Sequence, residues 1–209
     1  MRVVIIGGDA AGMSAASQVK RLRPDYDVVL FERGGYISYA ACGIPYFVGK
    51  AVGSLDDLIE VLPDEAREKR GIDLRLGHTA VAIDPSGRTV TVEHEGQTTV
   101  EPYDSLLIAT GARAQTLGID MGTFAGVFAM NDLSDARKIA DYAAVEKPET
   151  AAVIGGGYIG LEAVESFCGL GLKTTLVHRR EDLHRSFEKE MSDIIKQKFL
   201  FKLYRGIGE

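Results

Sequence analysis

The sequence predicts an α/β fold: two similar parallel-sheet units, with an antiparallel β-meander inserted into the first. Three observations predict it. An apolar strand, a Gly-rich turn, a helix and a second strand open the chain within residues 3–32. The same order returns in residues 151–177. Between them, residues 72–100 change to the alternating pattern of antiparallel strands. Two strand–turn–helix–strand units of this kind in one chain are Rossmann-like.

Each element follows from its residues. Residues 3–6, Val-Val-Ile-Ile, form a short apolar run, the pattern of a parallel strand buried on both faces. Residues 10–22 are Ala-rich and helical, and Pro24 follows them. Residues 27–31 are the second strand, which ends at Glu32. Residues 55–70 are charged and amphipathic and are read as a helix. In the alternating region, residues 89–93 and 98–100 flank the turn His94-Glu95-Gly96-Gln97, which marks a hairpin. Residues 106–109 form another buried strand, closed by Thr110 and Gly111. Residues 132–144 are helical, with Ser134 as the expected cap. In the repeat, residues 151–154 are a strand, 155–160 a turn, 161–170 a helix and 173–177 a strand. The domains are therefore expected at 1–113 and 114–209.

Composition narrows the function. The 209 residues carry a net charge of −6, and 45% are hydrophobic. The pI is near 5.3 and the mean hydropathy +0.01. Such a chain is an ordinary globular one, without the basic surface that attracts nucleic acid or anionic membranes. No stretch is long and apolar enough to span a bilayer. The apolar start is too short for a secretory leader. The two cysteines, Cys42 and Cys168, are far apart, which argues against a disulfide framework or a zinc site. Reduced thiols, a cytoplasmic location and no metal are expected.

The glycines point to phosphate. A pyrophosphate binds where N–H groups at a helix start converge, and side chains there would block it. The first turn reads Gly7-Gly8-Asp9-Ala10-Ala11-Gly12, with Asp9 where the middle glycine of G-x-G-x-x-G is usual. Glu32, at the end of the next strand, stands where an acid accepts hydrogen bonds from ribose hydroxyls. A tight turn without a ligand is the competing reading; Glu32 and the flanking elements favour a dinucleotide. The second turn, Gly155-Gly156-Gly157-Tyr158-Ile159-Gly160, is an intact fingerprint. Here the acid is replaced by His178, followed by Arg179, Arg180 and, further on, Arg185. Guanidinium groups suit the 2′-phosphate of NADP, so NADPH is expected over NADH; a solvated basic cluster is the alternative. Cys42 lies shortly after Glu32, in Ser38-Tyr39-Ala40-Ala41-Cys42-Gly43-Ile44-Pro45-Tyr46. Beside a helix N-terminus it is read as a reactive thiol, against the competing reading of a buried small hydrophobe. Cys168, inside a helix, takes the latter reading.

Taken together, residues 3–13, Glu32, and residues 38–49, 103–112 and 152–162 resemble the FAD-dependent pyridine nucleotide–disulfide oxidoreductases. The resemblance implies FAD at Gly7, Gly8, Asp9, Ala10, Ala11, Gly12, Glu32 and Arg33, with Cys42 and the strand end Ala109-Thr110-Gly111 at the flavin. It implies NADPH, or NADH, at Gly155, Gly157, Tyr158, Ile159, Gly160, His178, Arg179 and Arg185. Phe47 replaces the second cysteine of the family's C-x-x-x-x-C pair. That is the pattern of the single-cysteine branch, which holds coenzyme A disulfide reductases, NADH peroxidases and NADH oxidases. The peroxidases and oxidases carry a His where this chain has Ala10. Cys42-Gly43-Ile44-Pro45-Tyr46 is similar to the coenzyme A disulfide reductases, and Ser14, Gln18, Arg21 and Ser38 match their coenzyme A contacts. Ala41 departs from the Asn that often precedes their cysteine, which keeps polysulfide or persulfide substrates open.

The implied function is thus an FAD- and NADPH-dependent reductase of a small disulfide through catalytic Cys42. An NADH oxidase or peroxidase, and a truncated nucleotide-binding remnant, are the alternatives. The implied partner is a small thiol or disulfide. The family is longer and dimeric, so the chain is read as its N-terminal portion, lacking a later flavin-contact segment and the C-terminal dimer domain.

Overall fold

The computed structural model describes residues 1–119, 121, 123–179, 183 and 187–200. The chain forms two compact units: Met1–Ala40 with Leu58–Arg113, and Ala41–Asp57 with Ala114–Glu209.

The first unit is a parallel sheet covered on both faces. β1 (Arg2–Ile6), α1 (Ala10–Leu22) and β2 (Asp27–Glu32) form the opening crossover. β1 pairs in parallel with β2, Arg2 facing Asp27 and Ile6 facing Phe31. β3 (Asp73–Leu76) pairs with β2, and β7 (Ser105–Ile108) with β1, so the order is β3-β2-β1-β7. Successive strand residues face opposite sides. Val3 and Ile5 join Val28, Leu30 and Leu74 against Met13 and Ala16 of α1. Val4, Ile6, Val29 and Phe31 pack on the other side against Val90 and Val92. These last two belong to the antiparallel meander β4 (Thr79–Asp84), β5 (Thr89–His94) and β6 (Gln97–Pro102). Glu95 and Gly96 both have positive φ, +48° and +77°, at the β5–β6 turn; such a turn matches the twist of a hairpin. Glu101 on β6 accepts from Arg2 at 2.6 Å and from Arg75 at 2.7 Å, tying the meander to β1 and β3.

Three expectations are corrected. Residues 73–76 belong to the parallel sheet, not to the meander: Ile72 and Leu74 are buried in the α1 cluster, and an edge strand with one buried face alternates too. Residues 55–70 are not one helix. A 3-10 turn at Leu55–Leu58 and a π turn at Glu65–Lys69 flank a stretch in which Leu58, Glu60 and Val61 bond to the backbone of residues 38–40. Pro63 lies in that stretch, and proline lacks the N–H a helix interior needs. Finally, Asp132, not Ser134, caps the third helix, accepting the Asp135 N–H at 2.9 Å.

In the second unit, α2 (Ile44–Val48) packs against α3 (Leu133–Glu146) and α4 (Tyr158–Gly169). β8 (Thr150–Ile154) pairs in parallel with β9 (Lys173–Val177), Ile154 facing Val177. Leu161 and Val164 of α4 bury against Leu176 and Leu183, with Ile195 of α5 (Lys189–Leu200) beside them.

Candidate functional site

The first Gly-rich turn is shaped by two close approaches. Gly7 has φ +103°, its N–H donates to the Phe31 carbonyl at 2.8 Å, and a Cβ on it would fall on the Ala109 carbonyl oxygen. A Cβ on Gly12 would fall on the carbonyl oxygen of Gly7. Only glycine lets the helix start approach the strand end so closely. Asp9 occupies the cap position, yet its side chain does not cap α1. It turns aside to accept the Tyr39 N–H at 3.3 Å, so a carboxylate does not fill the helix start. Glu32 accepts the Gly8 N–H at 2.8 Å and the Gly34 N–H at 2.7 Å. Ala109 bonds back to Ile6 at 2.7 Å, with Thr110 and Gly111 exposed beyond it. The structure thus gathers Gly7, Gly8, Asp9, Ala10, Ala11, Gly12, Glu32 and Ala109–Gly111 at the carboxyl ends of β1, β2 and β7, where open α/β sheets bind ligands. Arg33 is exposed next to Glu32.

The second turn repeats this geometry. Gly155 has φ +117° and donates to the Val177 carbonyl at 2.9 Å. A Cβ on Gly160 would fall on the Gly155 carbonyl oxygen. Gly157 begins α4 with no side chain in the way. Tyr158 and Ile159 are each 55% exposed, and the Tyr158 ring meets Phe187 edge-on at 5.5 Å. The Gly156 N–H donates to Nδ1 of His178 at 3.1 Å, the bond that Gly8 makes to Glu32 in the first unit. An Nδ1 that accepts puts the proton of the neutral ring on Nε2. Arg179 is exposed after it. Arg180 and Arg185 lie outside the described residues.

Cys42 is exposed, in a 3-10 turn at Ala41–Gly43 just before α2; Cys168 is half-buried in α4 against Val164 and Leu176. Ser14, Gln18 and Arg21 are exposed on α1 at helical spacing, and Arg21 donates to Gln18 at 2.5 Å. Ser38 has φ +43° and is tied to the first turn by its N–H on the Gly8 carbonyl at 2.9 Å.

Motif reading missed two features. The Ser166 hydroxyl donates to the Pro45 carbonyl at 2.7 Å across 121 residues of sequence, and no local pattern signals such a bond. An open pocket of about 340 Å³ is lined by Phe124, Phe128, Asp135, Lys138 and Tyr142 among others. Among the described residues no His, Cys, Asp or Glu cluster suits a metal, and no helix is long and apolar enough to cross a membrane.

Known proteins resemble this chain closely. The family model described as pyridine nucleotide-disulphide oxidoreductase matches residues 1–202. The NAD(P)H coenzyme A polysulfide/persulfide reductase of Pyrococcus horikoshii is 43% identical over 198 residues, which are 94% of this chain and 44% of that protein. The chain therefore spans under half the length of that relative. The crystal structure of reduced Bacillus anthracis CoADR-RHD superposes with a TM-score of 0.94 at 29% identity, over 100% of this chain and 38% of that one. An engineered water-forming NADPH oxidase bound to NADPH superposes with a TM-score of 0.92 at 28% identity, over 100% of this chain and 46% of that one. Of the five substitutions that define it, one removes an aspartate and two introduce arginine.

Proposed function

Because this chain belongs to the pyridine nucleotide-disulphide oxidoreductase family, we propose that it is the dinucleotide-binding portion of an NADPH-dependent flavoprotein that reduces a small disulfide. Coenzyme A disulfide, or a related persulfide or polysulfide, is the substrate, and Cys42 is the single redox thiol. The observation that carries this reading is the doubled cradle. Two Gly-rich turns stand in one chain, each with a glycine, Gly12 or Gly160, whose Cβ would fall on a carbonyl oxygen of its own turn, and each with an N–H held by the residue at the end of the next strand, Glu32 or His178.

The cradle fits FAD at the first turn. Gly7–Gly12 would hold the pyrophosphate, Glu32 a ribose, and Ala109–Gly111 would line the flavin side. The second turn would hold NADPH, with His178, Arg179 and Arg185 at the 2′-phosphate. On this reading 1–113 is the FAD-binding domain and 114–209 the nucleotide-binding one. Cys42, as thiolate, attacks one sulfur of the substrate disulfide; the other sulfur leaves as a thiolate, which takes a proton from solvent, and a mixed disulfide remains on Cys42. Releasing the second thiol needs two electrons, and the chemistry FAD supplies when bound is that transfer from reduced nicotinamide. Ser14, Gln18, Arg21 and Ser38 bind the substrate, with the Arg21 guanidinium on a phosphate. The reduced thiols suit a cytoplasmic setting, and the complete protein acts as a homodimer.

An NADH oxidase or peroxidase is the second reading, favoured by the likeness to the water-forming oxidase. Ala10 stands where the peroxidases and oxidases carry a His, and offers no imidazole for that chemistry. In the full-length flavoprotein, Cys42→Ser is expected to abolish NADPH consumption with coenzyme A disulfide and to leave flavin absorbance intact. Wild-type turnover in that variant would sink the mechanism. Faster NADPH or NADH consumption with peroxide or oxygen than with any disulfide would establish the second reading.

A further inference from the structure

The helix that opens on the second Gly-rich turn also grips the segment carrying Cys42. Residues Ala41–Asp57 are part of the second compact unit. Within it, α2 follows the Cys42 turn and packs on α4, with Ile44 and Val48 each 3% exposed. A serine inside a helix usually turns back on a carbonyl of its own helix. Ser166 instead donates to the carbonyl of Pro45 at 2.7 Å. The same carbonyl accepts the Gly49 N–H at 2.8 Å, which closes α2. Gly49 makes the contact possible: a Cβ there would lie 3.0 Å from both Cβ and Oγ of Ser166. Ser166 stands two turns along α4 from Tyr158, about 12 Å of rigid helix.

We propose that Ser166 is a positioning residue for Cys42. Through Pro45 it fixes the redox segment to α4, the helix whose N-terminal turn is the nucleotide cradle, so the two are held by one rigid element. The structural side of this stands on the contacts alone; its consequence for turnover rests on the reading of Cys42 as the redox thiol.

The test uses the flavin-loaded full-length protein with Ser166→Ala, which removes the donor, and Ser166→Thr, which keeps it. Peptide-resolved mass spectrometry follows two quantities: hydrogen–deuterium exchange around the Gly49 amide, and alkylation of Cys42 by iodoacetamide. One ordinary hydrogen bond corresponds to roughly a fivefold change in an opening equilibrium. Ser166→Ala is therefore expected to speed exchange at Gly49 about fivefold, and alkylation of Cys42 rises with it. Exchange in β1 stays as in wild type, and Ser166→Thr restores wild-type exchange and alkylation. In steady state, Ser166→Ala lowers kcat for the disulfide and leaves KM for NADPH unchanged. Wild-type exchange and alkylation in Ser166→Ala, or the same changes in Ser166→Thr, would overturn the positioning role. If the labelling responds as expected while the wild-type protein reduces no disulfide, the positioning role stands and the reductase reading falls.

Discussion

Replacing Glu32 by glutamine separates a turn staple from a ribose ligand. The carboxylate accepts two backbone N–H groups, from Gly8 at 2.8 Å and Gly34 at 2.7 Å. A glutamine carbonyl keeps only one of these. Its NH₂ then faces the other N–H, donor against donor, and that amide loses its partner. A hydrogen bond to a charged group contributes about 1.5–3 kcal/mol, and the bond that survives weakens as it becomes neutral. Glu32 is half-buried, so the lower part of that range applies, and the first unit should lose about 2 kcal/mol. With a urea m-value of about 2 kcal/mol/M, the midpoint falls by about 1 M. Arg33→Ala, exposed next door, is the control and should stay within about 0.5 kcal/mol of wild type. Urea unfolding followed by circular dichroism gives the first number, and flavin fluorescence titration gives the FAD affinity, expected to weaken at least about tenfold. A stability change under about 0.5 kcal/mol would refute the hydrogen-bond reasoning. A full stability loss with unchanged FAD affinity would refute Glu32 as a ribose ligand.

Two further outcomes follow from the second unit. Arg179→Ala should raise KM for NADPH about tenfold or more, the effect of one charge-assisted contact, while KM for NADH barely moves; equal changes for both nucleotides would refute the 2′-phosphate contact. Burial first, and then the Asp132 carboxylate, push the Asp135 carboxyl above its ordinary value of 3.8, against the Asn131 N–H, which pulls it down. The folded chain then binds that proton more tightly than the unfolded chain, so the stabilisation is fully present below 3.8 and is lost as pH rises through the higher folded value. Asp135→Asn should therefore stabilise the protein relative to wild type at neutral pH, with the difference fading towards acid pH in matched urea melts; a pH-independent difference would contradict it.

Much of the fold was legible because each opening unit is coded locally. Val3–Ile6 alternate between two buried clusters, so they read as one unbroken apolar run. Gly12 and Gly160 meet carbonyls of their own turns, only a few residues away, so spacing alone reveals them. Apart from the cap of α3, what failed was decided by distant partners. Asp73–Leu76 alternates like a meander strand, but its parallel pairing with β2 is a contact to residues 29–32. Residues 58–61 have helical composition, yet the backbone of residues 38–40 claims their hydrogen bonds. The site divides in the same way. The two glycine turns and the positions of Glu32 and His178 were visible in sequence. The turning aside of Asp9 towards Tyr39 and the hold of Ser166 on Pro45 were not, because each joins a motif to a backbone group far along the chain.

On the proposed function, the repeat places the selectivity between two dinucleotides at one end of each turn. The backbone trap is the same twice: a positive-φ glycine after the strand, and a second glycine against its carbonyl. Even the brace across the mouth is the same, the N–H of Gly8 held by Glu32 and that of Gly156 held by His178. The chemistry of that side chain differs. Glu32 presents acceptors and negative charge, which suit ribose hydroxyls and repel a phosphate. His178 spends its acceptor, Nδ1, on Gly156, so the remaining ring nitrogen is a donor, and the guanidinium of Arg179 follows it. Donor and cation favour phosphate oxygens. On the proposed assignment one backbone geometry serves two ligands, and the hydrogen-bond polarity of the residues at the end of the second strand, Glu32 against His178 and Arg179, selects between their riboses.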